Sequence, residues 1–291
     1  MPETGDTRKT GDTIEDLILQ QDKRGVAHLR PHLPTDFCSQ AASYIMDHPG
    51  DVVIVTGFYI LMTGTPETDG PPGAIAIGSA LQALGRKVTY VTDSICFAAL
   101  QDLAGPGAEV LEFPITNVED SKRTAKEMLA QLKPGLLISI ERSGRTKDDT
   151  YLNMRDADIT DNTARLDYLF DEGIPSVGIG DGGNEIGMGN LAHVIPGIDR
   201  LPKNPAIATV DKLVVASVSN WGGYGLVAAL SRLAGRNLLP TTQHETQMIH
   251  RMVEIGIVDG TTGKAIPTVD AFTTDENAAV LEQLHAVVGS P

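Results

Sequence analysis

The chain has 291 residues, 41% of them hydrophobic, which suffices for one large core and places it at the upper end of single-domain size. Its 23 basic against 38 acidic residues leave a formal charge of −15, which repels phosphodiester backbones and anionic headgroups, so nucleic acid and membrane partners are not expected. The two cysteines, Cys38 and Cys96, form no close-spaced pair, which removes zinc knuckles, CxxC redox motifs and disulfide frameworks and points to a reducing, cytoplasmic setting.

In chain order, the N-terminal MPETGDTRKTGDT lacks an apolar signal-peptide region, and two amphipathic helices are predicted near 12–23 and 35–48. Apolar, β-branched runs then predict strands at 51–56, 86–92, 108–113, 135–141, 174–180 and 211–217. Helices are predicted between or after them near 73–84, 94–103, 117–132, 162–172 and 221–235, with two more near 241–255 and 275–287. The most apolar run, VVIVTGFYILM at 52–62, is too short to span a bilayer. The alternation predicts an α/β fold with a doubly wound, mostly parallel, Rossmann-like sheet flanked by helices. One domain over 1–291 is expected, with a helical extension at 1–50, a sheet core at 51–235 and a helical segment at 236–291. The Pro-rich GTPETDGPPG at 64–73 reads as a loop inside the first β–α connection.

In open parallel sheets, ligands sit at the carboxyl ends of the strands, where loops converge and helix N-termini point inward. The glycine-plus-polar clusters fall on that edge: ETDGPPG, Asp93, ERSGRTK, DGGNE and SVSNWGG. The densest, GIGDGGNEIGMGN at 178–190, holds six glycines in thirteen residues together with Asp181, Asn184 and Glu185. It has three readings. Gly178, Gly180 and Gly183 satisfy the GxGxxG spacing of a dinucleotide site, against which stands the carboxylate of Asp181 inside the turn. GDGGNE also resembles the magnesium-binding GDGxND loop of haloacid-dehalogenase-type phosphatases, and DADIT at 156–160 spells an aspartyl-nucleophile motif, but without an apolar strand before it. The third reading is a cradle for a small zwitterion.

The motifs ETDGPPGA (67–74), IERSGR (140–145), GDGGNEIGMG (180–189) and SVSNWGGYGL (217–226), taken together and in this order, closely resemble the D-glutamate cyclase family, over nearly the whole chain. That resemblance implies intramolecular dehydration of D-glutamate to 5-oxo-D-proline, a lyase activity on an acidic amino acid or, in reverse, its lactam. It also implies that vertebrate members carry a further N-terminal domain and are mitochondrial. The alternatives are a metal-dependent phosphatase-like hydrolase and a non-catalytic nucleotide or small-molecule binding module.

For ring closure the residues offer Glu141, Asp181 and Glu185 as proton-transfer groups, with Asp181 and Glu185 also able to hold Mg2+ or Mn2+ should a metal be required. Arg142 and Arg145 are candidate carboxylate clamps. Asn184, Asn220 and glycine-turn amides such as that of Gly183 are candidate donors to a developing oxyanion. Asp69, Asp93, Trp221 and Gly223 complete the candidate substrate-binding set. Each has a structural reading as well. Glu141 can form an ordinary ion pair with either arginine, Asp181 or Asp93 can cap a helix, Trp221 can be core, and Glu67 with Asp69 can be a lid or a solvated turn. The seven histidines form no metal-ligand set. The terminal helices are expected to cover the sheet or a homo-oligomer interface.

Overall fold

The computed structural model describes residues 13–289; the first twelve residues of the N-terminal segment read above for a signal lie outside it. Six runs form one sheet: β1 (Val52–Thr56), β2 (Val88–Thr92), β3 (Glu109–Glu112), β4 (Leu136–Ile140), β5 (Ser176–Gly180) and β6 (Lys212–Val215). Their order is β3-β2-β1-β4-β5-β6 and every pairing is parallel. The central strands read as continuous apolar runs because helices cover both faces, and β1 and β4 are buried at every position. All six strands fall inside the predicted spans.

The helices are α1 (Ile14–Ile18), α2 (Phe37–Asp47), α3 (Pro71–Ala83), α4 (Ser94–Ala104), α5 (Val118–Leu132), α6 (Ser219–Ala234), α7 (Thr242–Glu254) and α8 (Thr274–Val288). Several open on a side-chain cap. Asp93 accepts from the Cys96 amide, Asn117 from Asp120 and Thr241 from His244, while Thr273 and Glu276 form a capping box. Helix α6 packs against α1, α2, α3 and α8 on one side of the sheet, and α5 packs on a 3-10 run, Leu166–Glu172. Among the described residues no helix is long and apolar enough to cross a membrane.

Two predicted helices differ. The first spans only Ile14–Ile18, because Gln21 and Gly25 take left-handed φ values of 55° and 88°, and a 3-10 run Val26–His32 follows. The segment predicted at 162–172 consists of 3-10 turns, Thr160–Asn162 and Leu166–Glu172. Its Asp167 is fully buried and accepts from the Arg145 amide and guanidinium and from Tyr151, a network that fixes the chain against continuing as an α-helix. Two short antiparallel hairpins were not predicted, Tyr59–Ile60 with Thr65–Pro66 and Thr268–Val269 with Phe272–Thr273.

Candidate active site at the switch point of the sheet

In the observed strand order, the chain leaves β1 toward β2 and leaves β4 toward β5, so a crevice opens where these neighbours part. Glu141, directly after β4, stands in this crevice with a left-handed φ of 43°, a conformation costly for a side-chain-bearing residue and frequent at functional positions. Gly70, across from it, takes φ 98°, and a Cβ there would lie 2.7 Å from Glu141 Cβ. Only glycine fits at that contact.

Helix α6 closes one side. It has no capping side chain of its own; Asp69, from the loop after β1, accepts from the Ser219 and Asn220 amides at 2.8 Å each and so caps it from a distance. Asn220 returns the tie, its Oδ1 accepting from Gly70 and Gly73 and its Nδ2 donating to Thr68 O. The Ser219 hydroxyl donates to Glu141 Oε2 at 2.5 Å.

The glycine-rich loop after β5 is shaped around a carboxylate of its own. Glu185 folds back over it, and its carboxylate accepts from the amides of Gly182 at 2.6 Å, Gly183 at 2.7 Å and Asp181 at 3.2 Å. Added Cβ atoms on Gly180 or Gly182 would lie about 3 Å or less from the Glu185 side chain. The amides that would cradle a phosphate are thus taken by the loop's own carboxylate, which removes the dinucleotide reading. The aspartyl-nucleophile reading fails too: Asp156 sits in a turn with φ 57° and accepts from the Lys203 and Asn204 amides.

A cavity of about 330 Å3 lies over these elements, lined by Glu67, Glu141, Asp181, Asn184, Glu185 and Asp270 among others. Arg24, from the turn before the first 3-10 run, is 16% exposed at its side chain and bridges Asp181 Oδ1 and Asp270 Oδ1. Burial pushes the carboxyls of Glu141, Asp181 and Glu67 well above the usual carboxylate range. For Glu141 the charges of Glu185 and Asp69 add to that rise, against the Ser219 hydrogen bond and Arg24. Asp69 is raised to about 7 by burial and then by the charge of Asp270. Burial works against the Arg24 charge, but Asp181, Asp270 and Glu141 outweigh it and Arg24 stays firmly protonated.

Several expected contacts are elsewhere. Arg142 is 1% exposed and turned into the protein, donating to Gly57 O and Ala164 O and pairing with Asp93 at 2.6 Å. Arg145 pairs with Asp167 and Asp171. Neither guanidinium reaches the cavity, so the carboxylate-clamp expectation is corrected, and Asp93 is a helix cap and counter-ion. Trp221 is fully buried, its indole donating to Asn277 at 2.7 Å. Gly223 faces Gly73, where a Cβ would come within 3.0 Å of Gly73 Cα; it permits the α3–α6 crossing and touches no ligand space. Asn220 has both amide atoms committed to backbone, and Gly182 lines the cavity while Gly183 does not.

The sequence reading missed Arg24, Asp270, Ser217 and Ser219 as individual residues. The last two lie within a motif it singled out; Arg24 and Asp270 lie outside every motif. By donor type, Asp69 with Asp181 and Asp270, or Glu141 with Asp181 and Glu185, could hold a hard divalent ion. Arg24 already supplies positive charge between Asp181 and Asp270, and the Glu185 oxygens are engaged by amides.

The order of these motifs around one crevice agrees with sequence comparison. The family described as D-glutamate cyclase-like, C-terminal, matches residues 14–285. The chain belongs to this family. Among D-glutamate cyclases, the human mitochondrial protein is 34% identical over 242 residues, covering 75% of this chain and 38% of its own length. The chain therefore spans well under half the length of that relative. Among solved structures, an exopolyphosphatase-related protein from Bacteroides fragilis is 8% identical, with a TM-score of 0.44 over 89% of this chain and 58% of that one.

Proposed function

We propose that this D-glutamate cyclase-like chain is a lyase that closes D-glutamate to 5-oxo-D-proline with loss of water. The observation that carries the proposal is the convergence of Glu141 and Asp181, two buried carboxyls of raised pKa, on one small cavity beside Arg24. Ring closure needs a neutral α-amine as nucleophile and a neutral γ-carboxyl as electrophile. A buried carboxyl of raised pKa suits both demands, holding a proton for the leaving hydroxyl and, once ionised, acting as a strong base toward the ammonium. Asp181 in its ionised form takes one proton from the substrate ammonium, and the amine attacks the carbon of the protonated γ-carboxyl. The C–OH bond breaks as Glu141 protonates the hydroxyl that leaves as water, and the Glu141 carboxylate then takes the second proton from the ring nitrogen. The cavity holds both reacting ends of one folded molecule, and such proximity is worth on the order of 7–11 kcal/mol in well-oriented systems.

Glu185 belongs to this scheme as the strut that shapes the 181–185 turn, and Asn184, whose Nδ2 donates to Leu152 O, faces the cavity at its side. If a magnesium or manganese ion takes part, Asp181 with Asp69 and Asp270 would hold it, and its contribution would be to polarise the γ-carboxyl. The test is NMR of the purified protein with D-glutamate and, separately, L-glutamate, each with and without manganese. Formation of 5-oxoproline from the D form is the expected result, and the manganese comparison decides whether an ion is needed. No product in any sample removes the substrate assignment.

A further inference from the structure

Asp181 and Asp270 share an unusual arrangement. Each gives its Oδ1 to Arg24 and leaves its Oδ2 buried and without a partner, both residues line the cavity, and their carboxylates bring oxygens within 4.8 Å of each other. Ser217, only 4% exposed, lines the same cavity and has a third buried, unpartnered oxygen, its Oγ. Buried polar atoms are nearly always paired, so three unpaired acceptors on residues that line one cavity point to a ligand that donates. All three can accept a hydrogen bond, and two carry the charge of a carboxylate when ionised.

The backbone supports the same conclusion. Asp270 and Ala271 form the two-residue turn of the Thr268–Val269/Phe272–Thr273 hairpin, with φ values of 50° and 59°. Such a turn favours Asn-Gly, and Ala at its second position is strained. The hairpin is braced by Asp259, whose Oδ2 accepts from the Ala271 amide and the Thr268 hydroxyl, and by Lys23, whose Nζ donates to the Asp270 and Ala271 carbonyls. The turn therefore aims the Asp270 carboxylate into the cavity at a cost in local strain.

We propose that Asp181 Oδ2, Asp270 Oδ2 and Ser217 Oγ form a subsite for the primary ammonium group of a small ligand, with Arg24 as its fixed neighbour. Three acceptors match the three N–H donors of an ammonium. A divalent ion suits the place less well, because the Arg24 guanidinium already bonds the other oxygen of both aspartates and would repel a second, doubly charged cation at short range. The assignment rests on the cyclase reading only for the choice of D-glutamate as probe. In that reading Asp270 and Ser217 orient the nucleophile, and Asp181 is the base that frees it.

The experiment is calorimetric binding of D-glutamate, glutarate and n-butylamine to the wild-type chain and to Asp270→Asn, with thermal melting as the check on folding. Asn tolerates the left-handed turn and still accepts from Arg24, so the variant changes charge with little change of shape. The expected result is a loss of D-glutamate affinity on the order of ten- to a hundredfold, the scale of one charged hydrogen bond, with glutarate unchanged and n-butylamine no longer bound. Ser217→Ala should lower D-glutamate affinity several-fold, again sparing glutarate, and serves alone if Asp270→Asn does not fold. Parallel loss of D-glutamate and glutarate, or no loss of either, overturns the subsite. So does failure of the wild-type chain to bind any amine, or stoichiometric manganese binding, read by electron paramagnetic resonance, that Asp270→Asn abolishes. Amine binding that depends on Asp270 in a chain that neither binds nor converts D-glutamate would retain the subsite and refute the cyclase reading instead.

Discussion

At the scale of single residues, the site is defined by carboxyls that burial keeps from ionising freely, and two predictions follow from that chemistry. Glu141→Gln keeps the acceptor for the Ser219 hydroxyl but cannot exchange a proton, so the fold should persist while turnover falls by about 10²–10⁴-fold, measured by 5-oxoproline formation. The second concerns pH. Asp69, raised from 3.8 to about 7, binds a proton in the folded chain over a range where the unfolded chain has released it. Its contribution is fully present below about pH 4 and is lost as pH rises through 7; the raised Glu67, Glu141 and Asp181 act in the same direction. Melting temperature should therefore fall between pH 5 and pH 8, and Asp69→Asn should flatten that slope; a melting curve that rises over this interval contradicts the assignment. The same scale shows why Arg142 misled. An arginine after a strand at the ligand-binding edge reads alike whether it faces the cleft or, as here, ties Gly57, Ala164 and Asp93 together behind it.

At the scale of elements, the six strands were legible because each is a short apolar run bounded by turn residues, and the strand order then fixes where the crevice must lie. The glycine-rich loop was located correctly in the sequence, but its purpose was not readable: a turn shaped around its own Glu185 has the same letters as one shaped around a phosphate. Arg24 and Asp270 had no local signature, since they reach the cavity from segments 157 and 89 residues away from Asp181 only through tertiary folding. The crossing of α3 and α6 is where an element-level change should reach the chemistry. A Cβ on Gly223 would stand 3.0 Å from Gly73 Cα and from Ile140 Cδ1, so Gly223→Ala must separate the helices, at about 1–3 kcal/mol for overpacking. That separation shifts the α6 N-terminus, which carries Ser219 against Glu141. Unfolding in urea should show the loss of stability, and kcat/KM should drop by up to about a hundredfold, the sensitivity expected of a misplaced catalytic contact.

At the scale of the whole molecule, a chain of net charge −15 is asked, in the proposed reaction, to admit a substrate that is itself an anion. The cavity interior does not resolve this, because its lining carries more carboxyls than cations. The cavity lining also includes the exposed Arg155 and Arg200. At physiological salt the screening length is about 8 Å, so an approaching ligand responds to these two arginines and little to the distant acidic surface. At about 0.01 M salt the length grows to about 30 Å and the net negative charge of the whole chain is felt. The double change Arg155→Gln and Arg200→Gln should then raise the KM for D-glutamate several-fold at physiological salt while leaving kcat unchanged, because the arginines act on arrival and not on the bond that forms. In the unaltered chain, lowering the salt should raise KM as well, since repulsion by the remote carboxylates then outweighs the local attraction. Steady-state kinetics at the two ionic strengths separates the contributions: a rim variant with unchanged KM at physiological salt would mean that the anion is received by the inner groups of the cavity, Arg24 and Lys23 among them.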